Sequence, residues 1–433
     1  MNRQILKLAI PNIVSNLTVP LIGMVDMAMM GHLGSEVYIG AVALGTVIFN
    51  FIYVGFAFLR MGTSGLTAQA YGGRKLQESA LLLQRSLITG FLLALVLLVF
   101  QWIIATLSFS ILSGSELTEN LAARYFYIRI WSAPATLAIY SFNGWFIGMQ
   151  NTRIPMAIAI AENVLNIGFN LLFVLGFDMK SDGVALGTVL AHYSGLLLCI
   201  WLFRRHYGRL GKYFNLKQSV NLDSMKVFFR LNVDIFIRTI LLVFALSFFT
   251  AKSAIYGDTI LAINSLLFQF FFFFSYLIDG FAYAAEALTG KYKGAGNSAA
   301  LKKIVKLLLL HGFGIALLFT AVYAFAGHAL LSLLTSQKHI LDASAPYLFW
   351  LALIPIVSFS AFLFDGIYIG ATASEAMRNS MIIAVLLVYL PAYYLFTGPL
   401  GNHGLWLAFM LFLASRGISL AIFSPAHIFR IEK

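Results

Sequence analysis

The sequence predicts an all-α polytopic membrane protein with twelve transmembrane helices in two pseudo-symmetric six-helix bundles. Three observations carry that prediction. Of 433 residues, 60% are hydrophobic and only 11% charged, too little polar surface for a soluble chain of this length. Apolar windows of about 20 residues, enough for one helical membrane crossing, recur along the whole chain. Landmarks of the first half also return in the second at a fixed spacing.

The windows fall at 7–30, 38–66, 80–106, 122–149, 154–176, 183–204, 225–250, 259–289, 300–326, 343–370, 377–397 and 402–424. The chain starts MNRQILKLAIPN, without a short apolar core and small-residue cleavage site. It therefore reads as the inner end of a retained first helix. The longest polar link, Arg204–Lys226, separates the sixth window from the seventh. The expected domains are an N-terminal bundle (1–205), a cytoplasmic linker (206–225) and a C-terminal bundle (226–433). Tyr71 and Tyr292, Gly73 and Gly294, Ala41 and Ala262, and Pro134 and Pro355 are all 221 residues apart, and Gly144-x-x-x-Gly148 returns as Gly366-x-x-x-Gly370 with a shift of one. Six spans per copy is an even number, so both copies insert the same way round, as in transporters whose two bundles rock about a central site.

The basic residues set the orientation. With the N-terminus inside, inner segments carry Arg3, Lys7, Arg74, Lys75, Arg85, Arg204, Arg205, Lys302, Lys303 and others, against Arg124, Lys180, Lys252 and Lys338 outside. This is the positive-inside pattern. It places both termini in the cytoplasm of a cell inner membrane and assigns the net charge of +12 to anionic inner-leaflet headgroups, with no nucleic-acid partner. A lone cysteine, Cys199, excludes a disulfide framework or thiolate metal site. No H-E-x-x-H or G-x-x-x-x-G-K-[ST] motif occurs. The chain is expected not to be an enzyme, to hold no metal or cofactor, and to draw its energy from an ion gradient.

Within the spans, ionisable residues are costly and point to function or to pairing. Asp26, in LIGMVDMAMMGHLGS, stands five residues before Gly31 with no basic residue within two turns. Desolvation without a cation favours a neutral carboxyl, which suits a group that gains and loses a proton. Its counterpart 221 residues on is Ser247, so the repeated scaffold does not require the acid. In the fifth span, Glu162, Asn166 and Asn170 recur at i, i+4 and i+8 with Asn163 beside them. Such a stripe cannot face lipid. Thr188 and His192 lie four apart in the sixth span, where a back-bond and a satisfied imidazole are the plainer readings. Arg60, Asp279, Glu286 and Asp365 suggest a charge-paired cluster between halves, as a gate or a static pair. Arg129, Arg238 and Arg416 are expected to reach headgroups. In FQFFFFF (Phe268–Phe274) the rings point all round a helix, leaving one or two for ligand.

VDMAMMGHLG, FLRMGTSGLTAQAYG, SYLIDGFAYAAEALTG and FDGIYIGATASEAMRNSM together resemble the DinF (DNA-damage-inducible protein F) branch of the MATE family, the multidrug and toxic-compound extrusion transporters. The resemblance spans essentially the whole chain. It implies a pair of six-helix bundles exporting drug-like, cationic or amphipathic small molecules in exchange for H⁺ or Na⁺. It places the family's first-helix acid on Asp26, its helix-bending proline on Pro11 and its polar pocket on Asn166, Asn170 and Thr188. Members usually have Asp where this chain has Asn170, which weakens a two-carboxylate sodium site and gives Glu162 the role of substitute acid. The expectation is a monomeric proton-coupled antiporter, with a sodium-coupled exporter or a lipid-linked oligosaccharide flippase as alternatives.

Overall fold

The computed structural model describes residues 1–31, 36–112 and 115–430; the side chains of residues 19–28, 30 and 31 lie outside the description. Among the described residues the chain is helical throughout. Its long helices are α1 (Asn2–Gly31), α2 (Glu36–Gly72, turning at residues 56–57), α3 (Leu76–Val99, extended by Gln101–Ile111) and α4 (116–148, broken by a 3-10 turn at Ile130–Ser132). They continue with α5 (Arg153–Gly176), α6 (Lys180–Tyr213), α7 (Leu222–Tyr256), α8 (Asp258–Gly294), α9 (Ser298–Leu334), α10 (Lys338–Gly370), α11 (Ser374–Leu400) and α12 (Asn402–His427). These twelve correspond to the twelve windows. Helices α8 and α9, each 37 residues, reach about 55 Å at 1.5 Å per residue, well beyond one hydrocarbon crossing.

The chain divides into two compact units, Val14–Phe229 and Met1–Ile13 with Arg230–Lys433. These boundaries differ from those read from sequence at both ends. Gln4 accepts from the Tyr292 hydroxyl at 3.0 Å, and Ala9 and Ile13 close over Gly280 on α8, so the start of α1 packs with the C-terminal unit. The segment 206–225, expected to be a cytoplasmic linker, packs with the first unit. Gln84 Oε1 accepts from Asn215 N and Ser219 Oγ at 2.8 and 2.9 Å, and Arg85 Nε donates to the Ser219 carbonyl at 3.0 Å. Arg85 is therefore buried rather than at headgroups: a peptide carbonyl and Glu78, 3.6 Å away, compensate its charge.

Within each unit the same helix pairs meet. In the first, α4 packs on α2, α3 and α6, and α5 packs on α6; in the second, α10 packs on α8, α9 and α12, and α11 packs on α12. The paired glycines explain the closest of these contacts. A side chain at Gly144 would collide with the Arg60 carbonyl and one at Gly148 with Thr67; at Gly366 it would meet the Ala282 carbonyl and at Gly370 that of Glu286. Small residues four apart let two backbones touch, here once per repeat. Around the contact in the first unit lie Trp145, Phe146 and Phe203, with the indole N–H satisfied by the Ser79 carbonyl at 2.8 Å. The second unit's core is an aromatic stack of Phe249, Phe268, Trp406 and Phe409.

Candidate functional site

Helix α5 turns Glu162, Asn166 and Asn170 toward α6, because residues four apart stack on one helical face. Asn170 Nδ2 donates to Asn166 Oδ1 at 3.2 Å, Asn166 Nδ2 donates to Thr188 Oγ1 at 3.1 Å, and Thr188 Oγ1 donates to the Val184 carbonyl at 2.9 Å. The three side chains are at most 3% exposed. One turn earlier on α5, Glu162 Oε1 lies 3.0 Å from His192 Nδ1. Asn163, on the flank of the stripe, donates to the Thr18 carbonyl of α1 at 3.1 Å. The polar residues thus join α5, α6 and α1 within the first unit.

Two glycines on α6 make the room. A side-chain carbon at Gly187 would overlap the Asn170 amide oxygen, and one at Gly195 the Glu162 carboxylate. Glu162 and Asn170 are eight apart, as are Gly187 and Gly195, so the polar residues of one antiparallel helix fit the gaps of the other. That equal spacing was the sequence signal for these glycines, and reading α5 alone missed it. Directly after Asn170, α5 widens into a π-helical segment, Leu171–Gly176, a departure common near functional positions.

The structure brings the fifth- and sixth-span residues together, with His192 drawn in as partner of Glu162. Thr188 does make the expected back-bond, while also accepting from Asn166. Asp26 lies on α1, its side chain outside the described residues. Pro11 is buried inside α1, two residues before the boundary between units.

Of the four residues expected to form a cluster, Arg60, Asp279, Glu286 and Asp365, the last has charged partners within its own unit. Asp365 on α10 accepts from Arg416 Nη2 of α12 at 2.7 Å and pairs with Arg238 of α7. Those arginines do not reach headgroups. Arg416 is 1% and Arg238 6% exposed, because a buried carboxylate compensates them far better than a distant phosphate could. Asp279 accepts from the Ser275 hydroxyl, one turn earlier on α8, at 3.4 Å. Glu286 is fully buried on α8, its carbonyl against Gly370, and Arg60 belongs to the first unit. Arg129 turns inward too, donating to the Tyr125 hydroxyl at 2.6 Å with its guanidinium 4.8 Å from the Phe49 ring. Among the described residues no three His, Cys, Asp or Glu side chains converge as a metal cage requires.

The MatE family model matches residues 11–172 and again 235–395, once per repeat. The chain is 39% identical over 425 residues to DNA damage-inducible protein F of Escherichia coli (strain K12), covering 97% of this chain and 91% of that protein. It is 22% identical over 392 residues to the multidrug export protein MepA of Staphylococcus aureus (strain MSSA476), covering 88% and 85%. Among solved structures, a MATE protein in the bent conformation superposes with a TM-score of 0.89 at 20% identity, over 99% of this chain and 95% of that one. That likeness is one of fold.

Proposed function

This chain belongs to the MatE family, and on that premise we propose that it is a secondary antiporter exporting drug-like cationic or amphipathic organic compounds in exchange for protons. The observation that carries the reading is the buried polar seam of α5 and α6, with Glu162 and His192 at one end of an amide and hydroxyl chain. A membrane unit gains little stability from such groups; a transporter that must move a proton or hold a polar substrate gains its function.

In the proposed cycle, Asp26 takes a proton while the site faces outward. Neutralisation lets α1 bend near Pro11, where the missing N–H already removes one helical hydrogen bond, and the substrate leaves. The bundles then rock and the proton departs to the cytoplasm. Coupling is limited by the difference in proton affinity between the two states, about 1.4 kcal/mol per unit of pKa. Glu162 supplies the second acid that Asn170 lacks, and His192 holds its carboxylate in place. Sodium fits less well. Asn166 Oδ1 and Thr188 Oγ1 already accept hydrogen bonds, leaving few oxygens for a bare cation. A cationic flippase cavity is also disfavoured, since Asp365 engages Arg238 and Arg416.

The orientation proposed with this reading is an inner membrane, both termini cytoplasmic, with a monomeric transporter set against anionic headgroups by its inner lysines and arginines. The test is ethidium efflux from proteoliposomes under a pH gradient. Export is expected to persist when Na⁺ is replaced by choline and to stop when the pH gradient is collapsed. Export that follows Na⁺ instead would reassign the coupling ion.

A further inference from the structure

Helices α7 and α8 form a hairpin closed by Gly257, whose φ of +93° only glycine adopts without strain. A cavity of about 530 Å³ opens between their facing sides, within the 300–1,000 Å³ span of small-molecule sites. It is walled by Ser247 and Thr250 from α7 and by Ser265, Phe268, Gln269 and Phe272 from α8. Among the described residues no acidic or basic side chain lines it. Lys252, the nearest cation in sequence, lies 5.5 and 5.6 Å over the rings of Phe248 and Tyr393, neither of which lines the cavity.

The wall's own hydrogen bonds decide what the cavity can recognise. Thr250 and Ser265 spend their hydroxyl protons on the carbonyls of Leu246 and Leu261, at 3.2 and 2.7 Å. Their oxygens are left to accept. Asn264, deeper in the wall, is saturated. Its amide N–H groups go to Ser253 Oγ and Asn402 Oδ1, both at 2.8 Å, and its oxygen accepts from Trp406 Nε1 at 2.8 Å and Asn402 Nδ2 at 3.2 Å. This knot fixes the wall instead of reaching for a ligand. What remains is the ring of Phe272, the two acceptor oxygens of Thr250 and Ser265, and the Gln269 amide.

We propose that this α7–α8 cavity is a binding subsite for planar aromatic compounds bearing N–H donors, one that recognises them by stacking and hydrogen bonding without an ion pair. Phe272, half-buried on α8, offers its ring to the ligand with the core ring of Phe268 packed behind it, and the Thr250 and Ser265 oxygens take the ligand's N–H groups. Ser247, 221 residues after Asp26 in the sequence, borders the cavity. Affinity here is insensitive to the charge of the ligand and to the protonation of the first unit. The subsite's part in export rests on the transport reading above; its binding does not.

Cysteine protection tests this directly, because the native Cys199 is fully buried. Thr250→Cys and Ser265→Cys, with Phe325→Cys as an exposed control, are reconstituted in membranes and labelled with N-ethylmaleimide. Ethidium, planar with amino N–H groups, is added at about ten times its Kd and should slow labelling at both cavity positions about tenfold by occupancy, leaving the control unchanged. Tetraphenylphosphonium, an aromatic cation with no N–H, should protect poorly. Gln269→Leu should weaken ethidium protection about fivefold, and Asp26→Asn should preserve it. Equal labelling with and without ethidium, equal protection by tetraphenylphosphonium, or loss of protection in Asp26→Asn would each overturn the proposal. Protection without proton-driven export would leave the subsite standing and remove the transport reading; export without protection would do the reverse.

Discussion

In the first unit the groove between α5 and α6 is filled by Glu162, His192, Asn166, Asn170 and Thr188. In the second unit the matching pair, α11 and α12, meets through Ser380 and Ser419, 2.6 Å apart, and through the Tyr389 ring tilted against that of Phe412. The repeat has kept its glycine contacts and helix neighbours while its polar chemistry has diverged. Charge differs the same way. Glu162 is paired with a histidine whose own charge depends on pH, whereas Asp365 is held by two arginines that stay charged. Removing the carboxylate from the second arrangement would strand buried guanidinium groups. One scaffold thus carries a histidine–carboxylate pair in one copy and a carboxylate clamped by two arginines in the other, so the repeat constrains backbone contacts more than polar chemistry.

Removing a charge from the arginine-clamped copy should do the most damage. Asp365→Ala leaves Arg238 and Arg416 buried without their carboxylate and should cost about 3–5 kcal/mol, read as a large fall in the thermal midpoint in detergent and loss of folded protein. Unchanged stability would mean the three-helix clamp does not hold the unit. Next is Gly195→Leu, which drives a side chain into the Glu162 carboxylate. Overpacking of this kind costs about 1–3 kcal/mol, and the α5–α6 seam should open, measured by the same melt together with lost efflux. A wild-type melt and efflux would show that α6 can yield there.

Smaller effects sharpen the contrast. Asn166→Ala and Thr188→Val should each destabilise by about 1 kcal/mol, and a double-mutant cycle should return a coupling of at least about 0.5 kcal/mol. Strict additivity would dissolve the chain of hydrogen bonds into independent contacts. Glu162→Gln should scarcely move the melt, yet should alter the pH profile of efflux, because the amide keeps the shape and loses the titration. An unchanged profile would end the role given to Glu162.

Much of this was legible in the sequence for simple reasons. Spans announce themselves because lipid tolerates few polar residues over about 20 positions, and the α5 stripe because helical periodicity is local. Other features are not local. Arg238 finds Asp365 127 residues away and Arg416 finds it 51 away; each alone resembles an arginine reaching for headgroups. The knot of Ser253, Asn264, Asn402 and Trp406 draws on three helices and has no period. Nor does the apolar run of α1 reveal that its packing partners change after Ile13, since apolar residues look alike whichever unit buries them.

The most direct test of the account is proton movement across proteoliposomes on addition of ethidium, with wild type beside Asp26→Asn. Substrate-triggered proton flux in the wild type, absent in a variant that still folds and inserts, is the predicted result. Equal flux from both would contradict the assignment of coupling to the first unit's acid.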